Sequence, residues 1–192
     1  MVTALSTLRI RVASVADAPL LAELAARTFV ETFAAENRAE DMTLHVARRY
    51  GVEIQGRELA DPALTYLIAE VDGAVAGYAL VRAGPAPPCV TGPAPVEIWR
   101  FYVDRPWHGS GVAQALMTAC ESEARRRGGR TLWLGVWERN ARARRFYEKS
   151  GFRDVGAKPF LLGTDAQTDR IMARDLDEGS IRPNLLHRAG DA

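Results

Sequence analysis

The sequence predicts an α/β domain in which a mixed, mostly antiparallel sheet has helices on both faces. The first observation is the order of strand-like and helix-like segments, βααα-ββ-βα-βα-ββ, which is not a simple βαβ repeat. The second is an Asp72-Gly73 turn between two apolar segments, because this dipeptide tolerates the positive φ angles of a tight hairpin. The third is RPWHGSGVAQAL (105–116), a glycine-rich turn that leads directly into an amphipathic helix.

The N-terminal half is expected to form one strand, three helices and a hairpin. LRIRVA (8–13) alternates as a strand does, and Ser14 and Asp17 are typical of a helix start. The apolar residues of this first helix recur at helical spacing: Leu20, Leu21, Leu24, Ala25 and Phe29. The remaining predictions are helices over 40–50 and 52–59 and hairpin strands over 65–71 and 74–81.

The C-terminal half alternates strands with helices and ends in two strands. VEIWRFYV (96–103) and TLWLGVW (131–137) are apolar strand segments on either side of the helix that follows the glycine turn. Gly128-Gly129 is expected to end that helix, and Gly151 to end the next helix, which Asn140 caps. The remaining predictions are helices over 111–127 and 140–150, strands over 158–162 and 169–176, and a Pro/Gly loop over 84–95.

Length and composition limit the classes of protein. The chain has 192 residues, 47% hydrophobic and 26% charged, which fits one domain over 1–176 with a loosely held tail over 177–192. The net charge of +1 gives no support for a nucleic-acid partner. No segment has the apolar length of a membrane span or signal peptide, so a cytoplasmic location without membrane contact is expected. Cys89 and Cys120 form no CxxC pair, and neither a disulfide nor a metal site is expected.

The glycine turn is typical of an anion site, because unpaired amides and the positive end of the helix dipole face any ligand there. A P-loop is excluded, since Gly111 is followed by Val112 and Ala113 rather than by Lys and a hydroxyl residue. A dinucleotide fingerprint requires a third glycine at the position of Gln114. On this segment alone, a turn that needs glycines only for its backbone remains an alternative.

Two longer segments resemble a known family. FYVDRPWHGSGVAQALM resembles motif A of the GNAT superfamily of acetyl-CoA-dependent N-acetyltransferases, and WLGVWERNARARRFYEKSGF resembles motif B. Both stand in the family's order, and the resemblance covers about residues 8–176. It implies the GNAT acyl-CoA N-acyltransferase fold and acetyl-CoA as donor, although His108 replaces the usual Arg or Gln. The residues implied to bind acetyl-CoA are Phe101, Val103, His108, Gly109, Ser110, Gly111, Val112, Ala113, Asn140 and Tyr147.

The same resemblance implies roles in proton transfer. Tyr147 matches the family's tyrosine whose hydroxyl faces the thioester sulfur, so it is the expected general acid; a core-filling tyrosine is the alternative. Glu97 stands where some members have a general-base glutamate, and it is expected to act through a water; a glutamate on an exposed strand face is the alternative. Asn140 is expected both to cap its helix and to bind the pantetheine arm.

The chain also resembles the bacterial spermidine/spermine N-acetyltransferase group, through RTFVETFAAENRAEDM, LGVWERN and QTDRIMARDL. This implies a small primary amine as acceptor, such as a polyamine, with Glu31 and Glu36 on the wall of its site. Carboxylates there attract a polycation, whereas acids that only solvate helix ends are the alternative. A protein N-terminal or lysyl acetyltransferase and a non-catalytic acyl-CoA sensor also remain open. A homodimer is compatible with the sequence, but no segment specifies an interface.

Overall fold

A computed structural model describes residues 7–177, which form one sheet flanked by helices on both faces. The 7-stranded sheet has the order β1-β2-β3-β4-β5-β7-β6, in which β4 and β5 are parallel and the other neighbours are antiparallel. The strands are β1 Leu8–Val12, β2 Leu64–Val71, β3 Ala74–Ala83, β4 Pro95–Val103, β5 Thr131–Trp137, β6 Arg153–Leu162 and β7 Asp165–Asp175. The helices are α1 Ala18–Phe33, α2 Ala39–Arg49, α3 Val52–Ala60, α4 Val112–Arg126 and α5 Ala141–Lys149. This confirms the predicted fold class; the predicted tail lies outside the described residues from position 178 onwards.

The alternation of side chains along the strands builds two separate cores. In β3, Ala79 and Val81 pack with Leu116 of α4 on one face of the sheet, while Tyr78 and Leu80 pack with α1 on the other. Successive side chains of a strand point to opposite faces, so one buried strand supplies both cores. Side chains therefore pack against both faces of the sheet. An opening between β4 and β5 connects the two faces.

Two predicted turns have the backbone that their glycines suggested. Asp72 and Gly73 have φ angles of 51° and 82°, as a tight hairpin between β2 and β3 requires. Gly151 has a φ of 85°, and the Phe152 amide donates to the Tyr147 carbonyl at 3.0 Å. Helix α5 thus ends in the predicted glycine stop, with Phe152 packed back against the helix.

The last two strands are longer than the sequence suggested. β6 begins at Arg153 rather than at 158, and β7 begins at Asp165 rather than at 169. Most of β6 is exposed or half-buried, and the strand contains Pro159, so its apolar alternation is weak. β6 is the edge of the sheet, where proline is tolerated because one row of backbone groups has no partner strand.

The Pro/Gly segment between β3 and β4 packs against the sheet. Val90 is 9% exposed and joins Trp133, Ile171 and Ala173 in a third, smaller core. The loop therefore covers the face of β5 and β7 that the helices leave open.

Candidate active site

A cleft opens through the sheet where two parallel strands separate. β4 and β5 are paired from Pro95 opposite Thr131 to Ile98 opposite Leu134, and no pairing continues beyond that point. The opening is about 720 Å³ in volume and is lined by residues from both faces of the sheet. A ligand in this cleft can contact α4 and α5 on one face and α1 and β7 on the other.

The turn before α4 forms a cradle for an anion. Gly109 and Gly111 have φ angles of +82° and +88°, and a Cβ built at either position meets no atom within 4 Å. Both backbones are in the left-handed region that side chains disfavour, which explains the glycines. Among the described residues, the amides of 109 and 111–114 have no hydrogen-bond acceptor. These free amides at a helix start fit a pyrophosphate.

Side-chain contacts fix the cradle to the end of β4. The His108 ring nitrogen Nε2 donates to the Val103 carbonyl at 2.8 Å, and the Ser110 hydroxyl donates to the Trp107 carbonyl at 2.7 Å. The Asp104 carboxylate forms an ion pair with Arg27 of α1 at 2.7 Å. His108 thus ties the cradle to the end of β4.

Most of the residues predicted to bind the donor line this single cleft. Ser110 is exposed outside the lining and its amide donates to the Trp107 carbonyl at 3.3 Å. Val112 is 1% exposed in the core beneath α4, so only its backbone amide is suited to bind a ligand. The lining includes Phe101, Val103, His108, Gly109, Gly111, Ala113, Asn140 and Tyr147.

Tyr147 lines the cleft from α5 and is nearly buried. Its ring makes edge contacts with Phe101, Phe146 and Phe152, with ring centres 5.5 to 6.1 Å apart. Burial, and to a smaller extent the nearby Cys120 thiol, raises the pKa of the Tyr147 hydroxyl well above its ordinary value of 10. The phenol is therefore neutral at pH 7 and retains the proton that a general acid must donate.

Asn140 caps α5, as predicted. Its side-chain Oδ1 accepts a hydrogen bond from the Ala143 amide at 3.1 Å. The side-chain Nδ2 donates to no other residue in the described part of the chain, and Asn140 lines the cleft. The cap thus leaves one amide group available to a ligand.

Glu97 lies on β4 opposite Trp133 of β5 and is 4% exposed. Its carboxylate accepts a hydrogen bond from Arg82 Nε at 2.5 Å and lies 3.9 Å from Lys158 Nζ. It borders a separate cavity of about 180 Å³ together with Arg82 and residues 83–85. Glu97 is not among the residues that line the cleft, so the structure does not bring this predicted base to the cleft wall.

The cleft contains a carboxylate that the sequence analysis did not select. Asp169 of β7 lies opposite Trp137 of β5 and opposite Lys158 of β6. Burial raises the pKa of the Asp169 carboxyl to about 6, against the opposing charge of Lys158. One signal in the sequence was available. Asp169 stands two residues before Ile171, and alternation along a strand places both side chains on the same face of the sheet, where Ile171 is fully buried.

The half of the cleft on the α1 side of the sheet is where the resemblance predicts the acceptor, and it is termed the acceptor half. Glu31 of α1 lines it, whereas Glu36, in the short turn after α1, is exposed and outside the lining. The structure thus brings one of the two predicted acidic residues to the cleft. Aromatic side chains supply much of the wall, namely Phe29, Phe33, Trp99, Tyr102, Trp137 and Phe160.

Arg100 reaches the cleft from β4 without contributing a free charge. Its Nη1 and Nη2 donate to the two carboxylate oxygens of Glu58 at 2.7 and 2.9 Å. The Tyr66 hydroxyl bonds both groups. Because this pair is buried and mutually neutralised, the acidic residues set the charge of the acceptor half.

Residues 7–177 contain neither a membrane-spanning helix nor a cluster of metal-binding side chains. No helix in this range has the length and apolarity needed to cross a membrane. In the same range, no group of three or more His, Cys, Asp or Glu residues is arranged to hold a metal ion.

Comparison with known proteins gives consistent matches. A model described as the acetyltransferase (GNAT) family matches residues 21–152. The chain is 34% identical to an uncharacterized N-acetyltransferase of Mycobacterium tuberculosis (strain ATCC 25618 / H37Rv) over 160 residues, which cover 83% of this chain and 98% of the relative. It is 32% identical to an uncharacterized N-acetyltransferase of Lactobacillus delbrueckii subsp. lactis, with 83% and 92% covered.

Solved structures share the fold. The PaiA N-acetyltransferase of Thermoplasma acidophilum, in complex with coenzyme A, matches with a TM-score of 0.72 and 20% identity over 88% of this chain and 99% of that chain. The yncA protein of Salmonella typhimurium, solved with its cofactor acetyl-CoA, matches with a TM-score of 0.62 and 26% identity over 96% and 98%. The chain therefore belongs to the acetyltransferase (GNAT) family and is an acetyl-CoA-dependent N-acetyltransferase.

Proposed function

We propose that the protein transfers the acetyl group of acetyl-CoA directly to a primary amine, and that polyamines such as spermidine or spermine are its acceptors. The observation that supports this most strongly is the single cleft through the sheet. It has free helix-start amides on one face and carboxylates among aromatic rings on the other. A thioester held from one side is then accessible to an amine that enters from the other.

The donor is bound chiefly by backbone groups. The amides of Gly109, Gly111, Val112 and Ala113 contact the pyrophosphate, and an approaching phosphate meets no Cβ at the two glycines. Backbone groups of Phe101 and Val103, which lie beyond the last paired residues of β4 and β5, bind the pantetheine arm. The free Nδ2 of Asn140 donates to the same arm. No metal takes part in this proposal.

The reaction has two proton requirements. An alkyl amine with a pKa of about 10.4 is protonated at pH 7, and exposing its lone pair costs about 4.6 kcal/mol. A carboxylate positioned beside the amine can accept this proton as the amine reacts. When the tetrahedral intermediate collapses, Tyr147 donates its phenol proton to the departing sulfur. The base predicted from the sequence, Glu97, exchanges a proton with the amine through intervening water.

The charge of the acceptor half favours a cation. Glu31 lines the mouth and Asp169 lies further along β7, while the arginine in this wall is neutralised by Glu58. Two separated carboxylates attract a molecule with two or more amines and hold it by its charges, while the aromatic walls contact the methylene segments between them.

A panel of acceptors tests this function. Purified protein is mixed with acetyl-CoA and one acceptor at a time, and the free thiol of coenzyme A is measured. The panel contains spermine, spermidine, simple aryl and alkyl monoamines, an aminoglycoside, and peptides with a free N-terminus or a lysine. We expect thiol release with the polyamines at the highest kcat/KM. Release with peptides alone would assign a protein acetyltransferase instead, and binding of acetyl-CoA without release from any acceptor would indicate a sensor.

A further inference from the structure

We infer that Asp169 is the carboxylate that binds the ammonium group of the acceptor and takes its proton. This inference rests on the proposed transfer to an amine, and it makes Asp169, in place of the water-mediated Glu97 predicted from the sequence, the residue that receives the amine's proton. The sequence analysis assigned no role to Asp169, although the segment QTDRIMARDL contains it, and the family match ends at residue 152.

The first support is the position of Asp169 in the sheet. It lies on β7 between Trp137 and Lys158, its cross-strand partners, next to the stretch of β5 that separates from β4. A Cβ built at Gly135, inside that stretch, would lie 3.2 Å from Asp169 Oδ2. The carboxylate therefore borders the opening through which a thioester on the α5 side becomes accessible.

The second support is that Asp169 has no partner at hydrogen-bond distance, although the charge of its cross-strand neighbour Lys158 acts on it from further away. Asp169 is half-buried, yet its carboxylate forms no hydrogen bond or ion pair with any residue in the described range 7–177. Carboxylates buried elsewhere in the same range each have such a partner, and a buried charge without one is costly. The partnered carboxylates are Asp41 with Thr164, Glu97 with Arg82, Asp104 with Arg27, and Glu123 with Arg126 and Arg127. An ammonium group in the cleft would supply the missing partner.

The electrostatic surroundings suit a proton acceptor. Burial raises the pKa of the Asp169 carboxyl to about 6, so it is mostly ionised at pH 7 and holds a proton better than an ordinary aspartate. Three groups on other elements face Asp169. The positive charge of Lys158 on β6 opposes the rise in the Asp169 pKa, and the Asp169 charge contributes to the raised pKa of Tyr102 on β4. Glu31 lies on α1, across the cleft. Lys158 lies near both Asp169 and Glu97, so it links the two carboxylates.

The reaction balances with these two residues. The ammonium transfers one proton to Asp169, and the freed lone pair forms the C–N bond with the thioester carbonyl carbon. The C–S bond then breaks, and the Tyr147 phenol protonates the sulfur. The second proton lost by the nitrogen restores the phenol, and the proton on Asp169 leaves to solvent. The sum is one ammonium and acetyl-CoA converted to one amide, free coenzyme A and one proton.

The test compares single-carboxylate variants with the most active amine of the panel. We expect Asp169→Asn to lower kcat/KM about 100-fold or more, as loss of a general base does, with the Kd for acetyl-CoA within twofold of wild type. Between pH 5 and 7, wild-type kcat/KM should fall tenfold per unit below about pH 6. That acidic limb should be absent from Asp169→Asn and retained by Asp169→Glu. Glu53→Gln, an exposed carboxylate on α3, is the matched control and should stay within twofold.

Stability separates this role from a structural one. The pKa of the Asp169 carboxyl is higher in the folded protein than its usual 3.8, so its ionisation destabilises the fold as pH increases through about 6. Asp169→Asn should therefore raise the urea midpoint of unfolding at pH 7 while it lowers activity. The inference is overturned if Asp169→Asn keeps kcat/KM within threefold of wild type. It is also overturned if the acidic limb of the pH profile remains in Asp169→Asn but disappears in Glu97→Gln. If wild type releases no thiol with any amine, the proposed function fails together with this inference.

Discussion

In the proposed reaction, Tyr147 has the most specific role of any side chain, because its phenol protonates the departing sulfur. Removing its hydroxyl with Tyr147→Phe keeps the ring contacts with Phe101 and Phe152 but removes the proton that the sulfur receives. We predict a fall in kcat of about 100-fold, with the Kd for acetyl-CoA changed less than threefold. Single-turnover kinetics and calorimetry measure the two quantities separately. A fall in affinity with an unchanged kcat would assign Tyr147 to binding instead.

Individual residues differ in how far the sequence identifies them. Gly109, Gly111 and Tyr147 were predicted because their backbone or motif position restricts the residue type. Asp169 was missed because alternation places it on the same face as Ile171 but does not show whether that face borders a core or a cleft. Glu97 was selected by its motif position, but its ion pair with Arg82 depends on a β3 neighbour that the motif does not include.

The start of α4 can be tested through the backbone of its two glycines. Gly111→Ala places a side chain at a φ of +88°, which costs about 1 to 2 kcal/mol, and relaxation of that strain distorts the cradle. Because 1.4 kcal/mol is a factor of ten, we predict about tenfold weaker binding of acetyl-CoA by calorimetry.

Gly73→Ala is the matched control for this change. It introduces a similar strain at a φ of +82° in the hairpin between β2 and β3, also without a clash. It should lower stability to a similar extent and leave acetyl-CoA affinity unchanged. Equal affinities for the two variants would show that the turn before α4 does not bind the donor.

The cap of α5 allows a second test, in which stability and binding separate. Asn140→Ala removes the bond to the Ala143 amide and should lower the free energy of unfolding by about 1 kcal/mol. Asn140→Asp keeps the cap oxygen but replaces the amide donor, so it should restore stability and not acetyl-CoA affinity. Urea denaturation and calorimetry give the two values. Recovery of both in Asn140→Asp would leave Asn140 only its capping role.

Among the larger elements, the helices and the inner strands follow from the sequence, whereas the edge strand does not. α4 and α5 have apolar faces and glycine stops that need no tertiary information. β6 has a proline and a largely exposed pattern, and it forms because β7 supplies a pairing partner from Arg153 onwards. The separation of β4 from β5 likewise depends on pairing between distant segments, which a local pattern does not specify.

Acid stability of the whole protein depends on Glu123, which connects α4 to β2. Its carboxylate is desolvated, yet hydrogen bonds from Arg126, Thr65 and Arg127 outweigh this and lower its pKa to about 2. A carboxyl with a lowered folded pKa stabilises the protein above its usual value of 4.5 and loses that contribution as pH falls towards 2.

We therefore predict that Glu123→Gln lowers the free energy of unfolding by about 3 kcal/mol at pH 7 and by much less near pH 2. Glu23→Gln, which breaks an exposed pair with Arg27 at the same helical spacing, should cost less than about 0.5 kcal/mol at either pH. Denaturation curves at several pH values measure both. A Glu123→Gln effect that does not change with pH would exclude this linkage.

At the scale of the whole molecule, the proposed function predicts that the diphosphate of the donor binds at the start of α4. Calorimetric titration of wild type with acetyl-CoA and with acetylpantetheine, which lacks the diphosphate and nucleotide, examines this most directly. Two hydrogen bonds to charged oxygens are worth about 3 kcal/mol or more, so acetyl-CoA should bind at least about 100-fold more tightly. Equal affinity for the two compounds, or no association with acetyl-CoA, would show that these amides do not hold the donor.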